Sequence, residues 1–383
     1  MTGRLLSLLA VLVVAAASAL SLGAPIFYFI AYTLLLMLVY GLLSSVLSLA
    51  LTRVWQAADT PRVERGGESA LTVSALSRNP LPAGPVLLKL ALPDGRAEAA
   101  LRPGFLRPRE ARFDLVFPHV GVWPCGATRM YAGDVFGLFR LPRNLPGPLP
   151  EIAALPRGYD LAPLKFARMD DGRALPNRSG EDVTSPEDTR AYRQGDPFKR
   201  IHWKLSSRSR ELIVRRFEIP APPDTLILMD CTQPEGGEGV PEGALRLRDT
   251  LCETALAAAA MQMEGGHPVR VPLYGARVSE FTADKPQGLP LLKEELAWQI
   301  FRGGEPFDRV LMLEMRRMRR TGAAVVITTR LDAMVAEGVS NIRRSGPSVR
   351  FYLVTFDPGD QRYAPYIARM QRDMTEVLYV TPA

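Results

Sequence analysis

EDTRAYRQGDPFKRIHWKLSSRSRELIVRRFE, residues 187–218, concentrates charge and holds the only Trp-His neighbour pair of the chain. Its parts have a local physical reading. Gln194, Gly195, Asp196 and Pro197 supply the turn residues for a sharp reversal, with Asp196 placed to N-cap a helix that opens on Pro197. The spacing predicts a short helix over residues 198–206. On it Phe198, Ile201 and Leu205 form an apolar face at i, i+3 and i+7, while Lys199, Arg200, His202 and Lys204 spread around the rest. After a loop at 206–210, residues 211–219 have the branched and aromatic content of a strand, which Pro220, Pro222 and Pro223 end.

Beyond those prolines, short apolar runs alternate with longer helical patterns. Residues 225–229 read as a strand ending in Asp230, 242–264 as an Ala-rich helix, 269–274 as a strand and 289–301 as a helix. A strand at 323–328, a helix at 332–343 and a strand at 349–356 follow. This alternation predicts a parallel sheet with helices on both faces. Ligands of such sheets bind outside the carboxyl ends of the strands, which points to Asp230, Thr328 and Thr329. No GxGxxG or GxxxxGK[ST] occurs, so neither a dinucleotide nor a P-loop site is expected.

Towards the start, residues 5–22 and 26–51 are apolar runs without a charge, separated only by Gly23, Ala24 and Pro25. Each is long enough to cross the roughly 30 Å hydrocarbon core of a bilayer, which predicts a transmembrane helical hairpin. A cleaved signal peptide is the rival reading of the first run, although the second run would still act as an anchor. Arg4 precedes the hairpin, and Arg53, Arg62 and Arg65 follow it. The intervening turn is uncharged, so the positive-inside rule puts both ends in the cytoplasm. Next come short alternating segments broken by Pro and Gly, at 70–75, 86–92, 111–117 and 128–132. They predict a small antiparallel sandwich of five or more strands. The segment Asp134 to Phe139 reads as a packed turn with Phe136 and Phe139 buried. Cys125, Cys231 and Cys252 lie far apart, without metal spacing, and read as reduced structural thiols. With 383 residues and 47% hydrophobic content, the chain can bury the cores of two or three domains.

One pattern also carries a family resemblance. Arg190, Tyr192, Gly195-Asp196-Pro197, Arg200-Ile201-His202-Trp203-Lys204, Ser206 and Arg208, followed by Glu211-Leu212, Val214 and Phe217-Glu218, resemble the hallmark of the Domain of Unknown Function 58 family of prokaryotic proteins. The resemblance extends to Asp134 to Phe139 and to the layout of the chain. It implies a von Willebrand factor A-like, Rossmann-like last domain. It also implies a partner, a MoxR-type AAA+ ATPase or other membrane-complex proteins, with which the chain would serve in assembly. The metal-binding version of that fold presents Asp-x-Ser-x-Ser after its first strand. Here Asp230-Cys231-Thr232-Gln233-Pro234 keeps Asp230, lets Thr232 stand in for the first Ser, and loses the second hydroxyl at Pro234. That is a degenerate metal site.

The resulting expectation is a multidomain membrane protein. It has a transmembrane hairpin at 1–52, a β-rich sandwich-like domain at 53–165, a signature segment at 166–220 and a von Willebrand factor A-like α/β domain at 221–383. Its function is expected to be that of a non-enzymatic scaffold or adaptor without a cofactor, multi-pass in the cell membrane, with a cytoplasmic body. Arg190, Tyr192, Gly195, Asp196, Arg200, His202, Trp203, Lys204 and Arg208 are the candidate residues, either as a docking face or as a brace for the linker. Two alternatives stand beside it: a hydrolase with His202 as base and Ser206 as nucleophile near Asp196, and a divalent-metal-dependent ligand-binding module at Asp230. The net charge of +7 suits anionic lipid or an acidic protein. Nucleic acid fits less well, because only Tyr192, Trp203 and Phe198 are available to stack on bases. Neither a nucleic acid nor a small-molecule substrate is expected.

Both ends of the chain should lie on the cytoplasmic side. A fluorescent-protein fusion to Ala383 should therefore glow while an alkaline phosphatase fusion there stays silent, and the reverse pattern would overturn the topology.

Overall fold

The computed structural model describes residues 3–93, 95–105, 107–161, 186–193, 198, 201–209, 211–217, 223–234, 241–301, 304–318 and 321–382. The chain divides into two compact units, Met1–Arg157 with Lys293–Gln299, and Gly158–Leu292 with Ile300–Ala383.

The two apolar runs are helices α1 (Gly3–Leu22) and α2 (Pro25–Leu51). Gly23 takes φ +63° and its N–H donates to the Ala19 carbonyl, while Pro25 opens α2 with its fixed φ. Both helices are long and apolar enough to cross a membrane, with mean hydropathies of 2.5 and 2.3. Val13, Val14, Leu20, Phe29 and Leu36 are exposed along them. One stripe of α2 differs: Gly41, Ser44, Ser45 and Ser48 are buried. Small residues there let the β-rich part of the unit come close.

Helix α2 passes without a spacer into strand β1 (Thr52–Ala58). Its last carbonyls find donors outside the helix, as helix ends require. Thr52 N–H donates to Ser48 O, Arg78 N–H to Leu51 O at 3.2 Å, and the Arg143 guanidinium to both Leu49 O and Thr52 O. The following strands are β2 (Arg62–Glu64), β3 (Glu68–Ser77), β4 (Val86–Leu92), β5 (Gly95–Leu101), β6 (Arg109–Val116), β7 (Gly121–Pro124), β8 (Gly126–Gly133), β9 (Arg140–Asn144) and β10 (Glu151–Leu155). They form three sheets, ordered β1-β3-β6, β2-β10-β7 and β5-β4-β8-β9. Alternate residues of β3, β4, β8 and β10, among them Leu71, Val73, Leu88, Leu90, Met130 and Ile152, meet in one core.

The connection from β3 to β4 is fastened to α2. Thr52 Oγ1 donates to Ser77 Oγ at 3.0 Å, and Asn79 Nδ2 donates to Ser44 O at 3.2 Å. Tyr40 and Ser44 hydroxyls donate to the Pro82 carbonyl at 3.2 and 2.7 Å. The turn after β8 corrects one expectation. Leu138 is the buried residue, whereas Phe136 is 39% exposed and rests edge-on against Tyr40 at 6.1 Å. Asp134 holds the turn by accepting from the N–H groups of Phe136 and Phe139 at 2.9 and 2.7 Å.

In the second unit come β11 (Pro186–Ala191), α3 (Trp203–Ser209), β12 (Ile213–Phe217), β13 (Asp224–Met229), α4 (Pro241–Glu264), β14 (Val269–Tyr274) and β15 (Val278–Ala283). Helix α5 (Leu289–Ala297) precedes α6 (Phe307–Arg317), β16 (Thr321–Thr328), α7 (Ala333–Arg344), β17 (Ser348–Val354), α8 (Ala364–Arg372) and β18 (Glu376–Val380). The large sheet has the order β15-β14-β13-β16-β17-β18, parallel except for β15. Buried residues of α6, α7 and α8 form one core with Leu226, Leu228, Val326 and Phe351 of the sheet. Helix α4 packs along β13, β14, β16 and β17. Its Leu251, Cys252, Ala255, Ala258 and Ala259 are fully buried. The expected helix at 289–301 ends early, at Ala297, and the strand at 349–356 stops at Val354. In this unit β11, β15, α6, α8 and β18 have no counterpart among the elements expected from the sequence.

An ionic ring ties the antiparallel edge strand to α6. Arg270 lies 2.7 Å from Glu314 and 3.2 Å from Glu280, and Arg317 lies 2.7 Å from Glu314 and 3.0 Å from Glu280. Glu314 is fully buried, and Tyr274 donates its hydroxyl to it. Its contact with Arg270 is close but not aligned as a hydrogen bond, so attraction between charges carries it. Burial, and then the Glu314 carboxylate, hold the Tyr274 phenol above its ordinary pKa. Glu314→Ala, which leaves two guanidinium groups short of a partner, should lower stability by roughly 3–5 kcal/mol in urea melts. A loss under about 1 kcal/mol would show the ring to be ornamental.

Candidate functional site

The signature segment forms a small sheet with a helix on it. Strands β11 and β12 pair antiparallel, with Arg190 opposite Val214 and Ala191 opposite Ile213. The chain then returns along the other edge of β12, where Ile201 bridges Val214 and His202 N–H donates to Ile213 O at 2.7 Å. The helix expected over 198–206 is therefore shorter at its start. The backbone at Ile201 and His202 is committed to β12, and the helix begins at Trp203. His202 caps it, its Nδ1 accepting from Leu205 N–H at 3.3 Å. Of the expected apolar face only Ile201 is buried; Phe198 is 68% exposed and Leu205 is exposed as well. Of the strand expected at 211–219, the described part β12 starts at Ile213 rather than at Glu211.

Ser206 is buried, with its Oγ accepting from Ile213 N–H at 2.8 Å. Among the described residues no hydrogen bond joins its side chain to that of His202. Outward stand Trp203, 64% exposed, with Lys204 and Arg208. Tyr192 stacks on Phe198 with ring centroids 6.0 Å apart and planes 18° from parallel. That stack had no signal in the sequence beyond two aromatic letters six positions apart. Gly195, Asp196 and Arg200 lie outside the described residues, as do the Arg190 side chain and the glycine-rich loop at 236–239.

The second candidate is the switch point of the large sheet. From β13 the chain moves one way to β14 and β15, then jumps back to β16 on the other side of β13. A crevice between the carboxyl ends of β13 and β16 is where such sheets bind ligands, and Asp230 and Thr328 meet there. Asp230 is 1% exposed. Its Oδ1 accepts from the N–H and hydroxyl of Thr232 at 2.9 and 2.6 Å, and its Oδ2 accepts from the Thr328 hydroxyl at 2.7 Å. The Arg330 guanidinium crosses to the Gln233 carbonyl, and the Arg330 backbone N–H donates to Thr328 Oγ1 at 3.0 Å. The sequence reading had not singled out Arg330, since no pattern marks a cation two residues beyond a strand.

These residues do not fit a magnesium ion. A cation needs carboxylate and hydroxyl oxygens turned towards it, whereas both Asp230 oxygens already accept hydrogen bonds from Thr232 and Thr328, and Pro234 offers no side-chain oxygen. Among the described residues no three His, Cys, Asp or Glu side chains gather as a metal group. Beside the crevice, burial pushes the Cys231 thiol up to about 12. Cys125 is pushed up to about 11 by burial, and Cys252 is raised by the same cause. All three are buried free thiols.

Residues 188–283 match the family model described as protein of unknown function DUF58. No curated protein matches the chain. Among solved structures, Cwp6 from Clostridium difficile is similar at 10% identity and a TM-score of 0.19, over 86% of this chain and 53% of that one. The beta-glucuronidase of Parabacteroides merdae is similar at 8% identity and a TM-score of 0.19, over 85% of this chain and 38% of that one. The chain thus spans about half, or less, of the length of these two structures, and at such TM-scores neither likeness carries an argument.

Magnesium should leave the melting temperature unchanged, since a ligand stabilises only in proportion to its binding. Asp230→Ala, which strands two hydroxyls and an N–H, should cost about 1–3 kcal/mol. A magnesium-dependent rise in melting temperature that disappears in Asp230→Ala would reverse the assignment.

Proposed function

We propose that the chain belongs to the family matched over residues 188–283, and that it works as a membrane-anchored adaptor that docks a partner on the signature sheet. One observation carries this reading. Buried Ile201, Val214 and Ser206 fix the small sheet, while Trp203, Phe198, Lys204 and Arg208 are left in solvent. An exposed Trp beside cations is costly to leave unused, and aromatic and cationic side chains are the usual anchors of protein interfaces. The matching partner is an acidic protein surface with an apolar pocket. The family resemblance makes a MoxR-type AAA+ ATPase the first candidate.

The second unit is read as a von Willebrand factor A-like domain, supported by its strand order, its helices on both faces and Asp230 at the switch point. The hairpin is read as crossing the cell membrane, with the body in the cytoplasm, supported by its apolar length and by Arg4, Arg53, Arg62 and Arg65 at one end. The hydrolase alternative is weaker, because Ser206 and His202 both spend their side-chain hydrogen bonds on nearby backbone.

Capture of partners from native membranes should separate docking from bracing. Trp203→Ala and Lys204→Ala should change stability by less than about 0.5 kcal/mol and weaken capture several-fold, the second also making capture less salt-sensitive. Ser206→Ala, which orphans the Ile213 N–H, should cost about 1–3 kcal/mol and reduce capture only in proportion. Undiminished capture by both exposed-residue variants would remove the docking face. A hydrolytic activity that Ser206→Ala abolishes would restore the enzyme reading.

A further inference from the structure

A cavity of about 630 Å³ opens beside the junction of α2 and the β-rich part of the first unit. Arg102, Arg107 and Arg109 line it, with Asn79, Leu81 and Phe105. The three arginines are exposed, Phe105 is 59% exposed, and no carboxylate is among the described lining residues. Gly104, which follows β5, is tied to β3. Gly104 N–H donates to Ala75 O at 3.2 Å, and Ser77 N–H donates to Gly104 O at 2.8 Å. A Cβ on Gly104 would lie 1.8 Å from the Arg107 carbonyl oxygen, so the two backbones approach closely there. Arg102 and Arg107 are thereby presented around one space rather than scattered.

The position of the cavity says what would fill it. Its Asn79 to Gly84 wall is the same segment that bonds α2 at Tyr40 and Ser44. From Pro25 to Val39 the helix rises about 22 Å, at 1.5 Å per residue. That is most of a roughly 30 Å hydrocarbon core. The cavity wall thus joins the helix at the depth where hydrocarbon gives way to headgroups. Guanidinium forks match phosphate oxygens in pairs, and an aromatic and a leucine beside them suit a glycerol backbone and the first acyl carbons.

We propose that this cavity holds the headgroup of an anionic phospholipid, its phosphate on Arg102, Arg107 and Arg109 and its glycerol end against Leu81 and Phe105. The assignment rests on the reading that the hairpin is embedded in a bilayer. It would make the lipid a structural filler between the membrane surface and the β-rich part of the first unit.

The test uses the full chain, in detergent, with phosphatidylglycerol or phosphatidylcholine added and retained lipid counted by native mass spectrometry. The parent should hold phosphatidylglycerol in preference by about tenfold, given the attraction of each cation to an anionic headgroup. R102Q/R107Q/R109Q should lose that preference, while the charge-matched R316Q/R362Q/R372Q keeps it. A preference that survives in the first triple variant, or falls equally in the second, overturns the site. Displacement of the lipid by millimolar inorganic phosphate would overturn the lipid assignment in favour of a free anion. Release of the chain from native membranes by alkaline carbonate would instead sink the embedded-hairpin reading, and the lipid site with it. A carbonate-resistant chain with unaltered lipid in R102Q/R107Q/R109Q sinks the site alone.

Discussion

A helix that ends inside a protein leaves its last carbonyls without partners, and in the first unit the donors that reach those of α2 decide what can stand next to it. Arg143 on β9 supplies two of the bonds, to Leu49 and Thr52, and the backbone N–H of Arg78 supplies a third, to Leu51. A cation at a helix carboxyl end is also favoured by the helix dipole. Because Arg143 belongs to the β5-β4-β8-β9 sheet and Arg78 follows β3, that one cap draws both sheets to the helix. The small residues Gly41, Ser44, Ser45 and Ser48 then follow as a consequence. Large side chains on that stripe would hold the sheets away from the carbonyls they have to satisfy.

The second unit divides its polar chemistry differently. At the switch point, where an α/β sheet offers its ready-made ligand crevice, hydroxyls and an arginine of the chain itself occupy Asp230 and bridge the gap. Towards β15, the ring of Arg270, Glu280, Glu314 and Arg317 spends four charges on holding an edge strand. On the signature sheet, by contrast, Trp203 and Lys204 are left in solvent. The crevice thus satisfies its polar groups inwardly, whereas the small sheet leaves an aromatic and a cationic side chain exposed.

How much of this was legible in the sequence depended on whether a feature is a continuous apolar run. The two apolar helices, the Ala-rich α4 and the strands β13, β14 and β16 announce themselves through runs and spacings that burial dictates. The edge elements β15 and β18 and the amphipathic α6 and α8 escaped, because half-exposed faces dilute the apolar signal. The start of α3 was misplaced for another reason. Phe198, Ile201 and Leu205 keep helical spacing, but a tertiary pairing of Ile201 with Val214 outcompetes the local preference. Asp230 and Thr328 were legible as a pair of strand ends. What they do with each other was not, because spacing does not reveal which way a hydroxyl hydrogen turns.

Between Leu51, the last residue of α2, and Thr52, the first of β1, there is no intervening residue. A tether of even a few flexible residues would let the β-rich part pivot about its anchor, and this joint has none. Its carbonyls are bonded on one side and its serine stripe is packed on the other, so the junction resists bending as a cantilever does at its root. A tilt of the hairpin is therefore transmitted to the sheets as a rigid rotation.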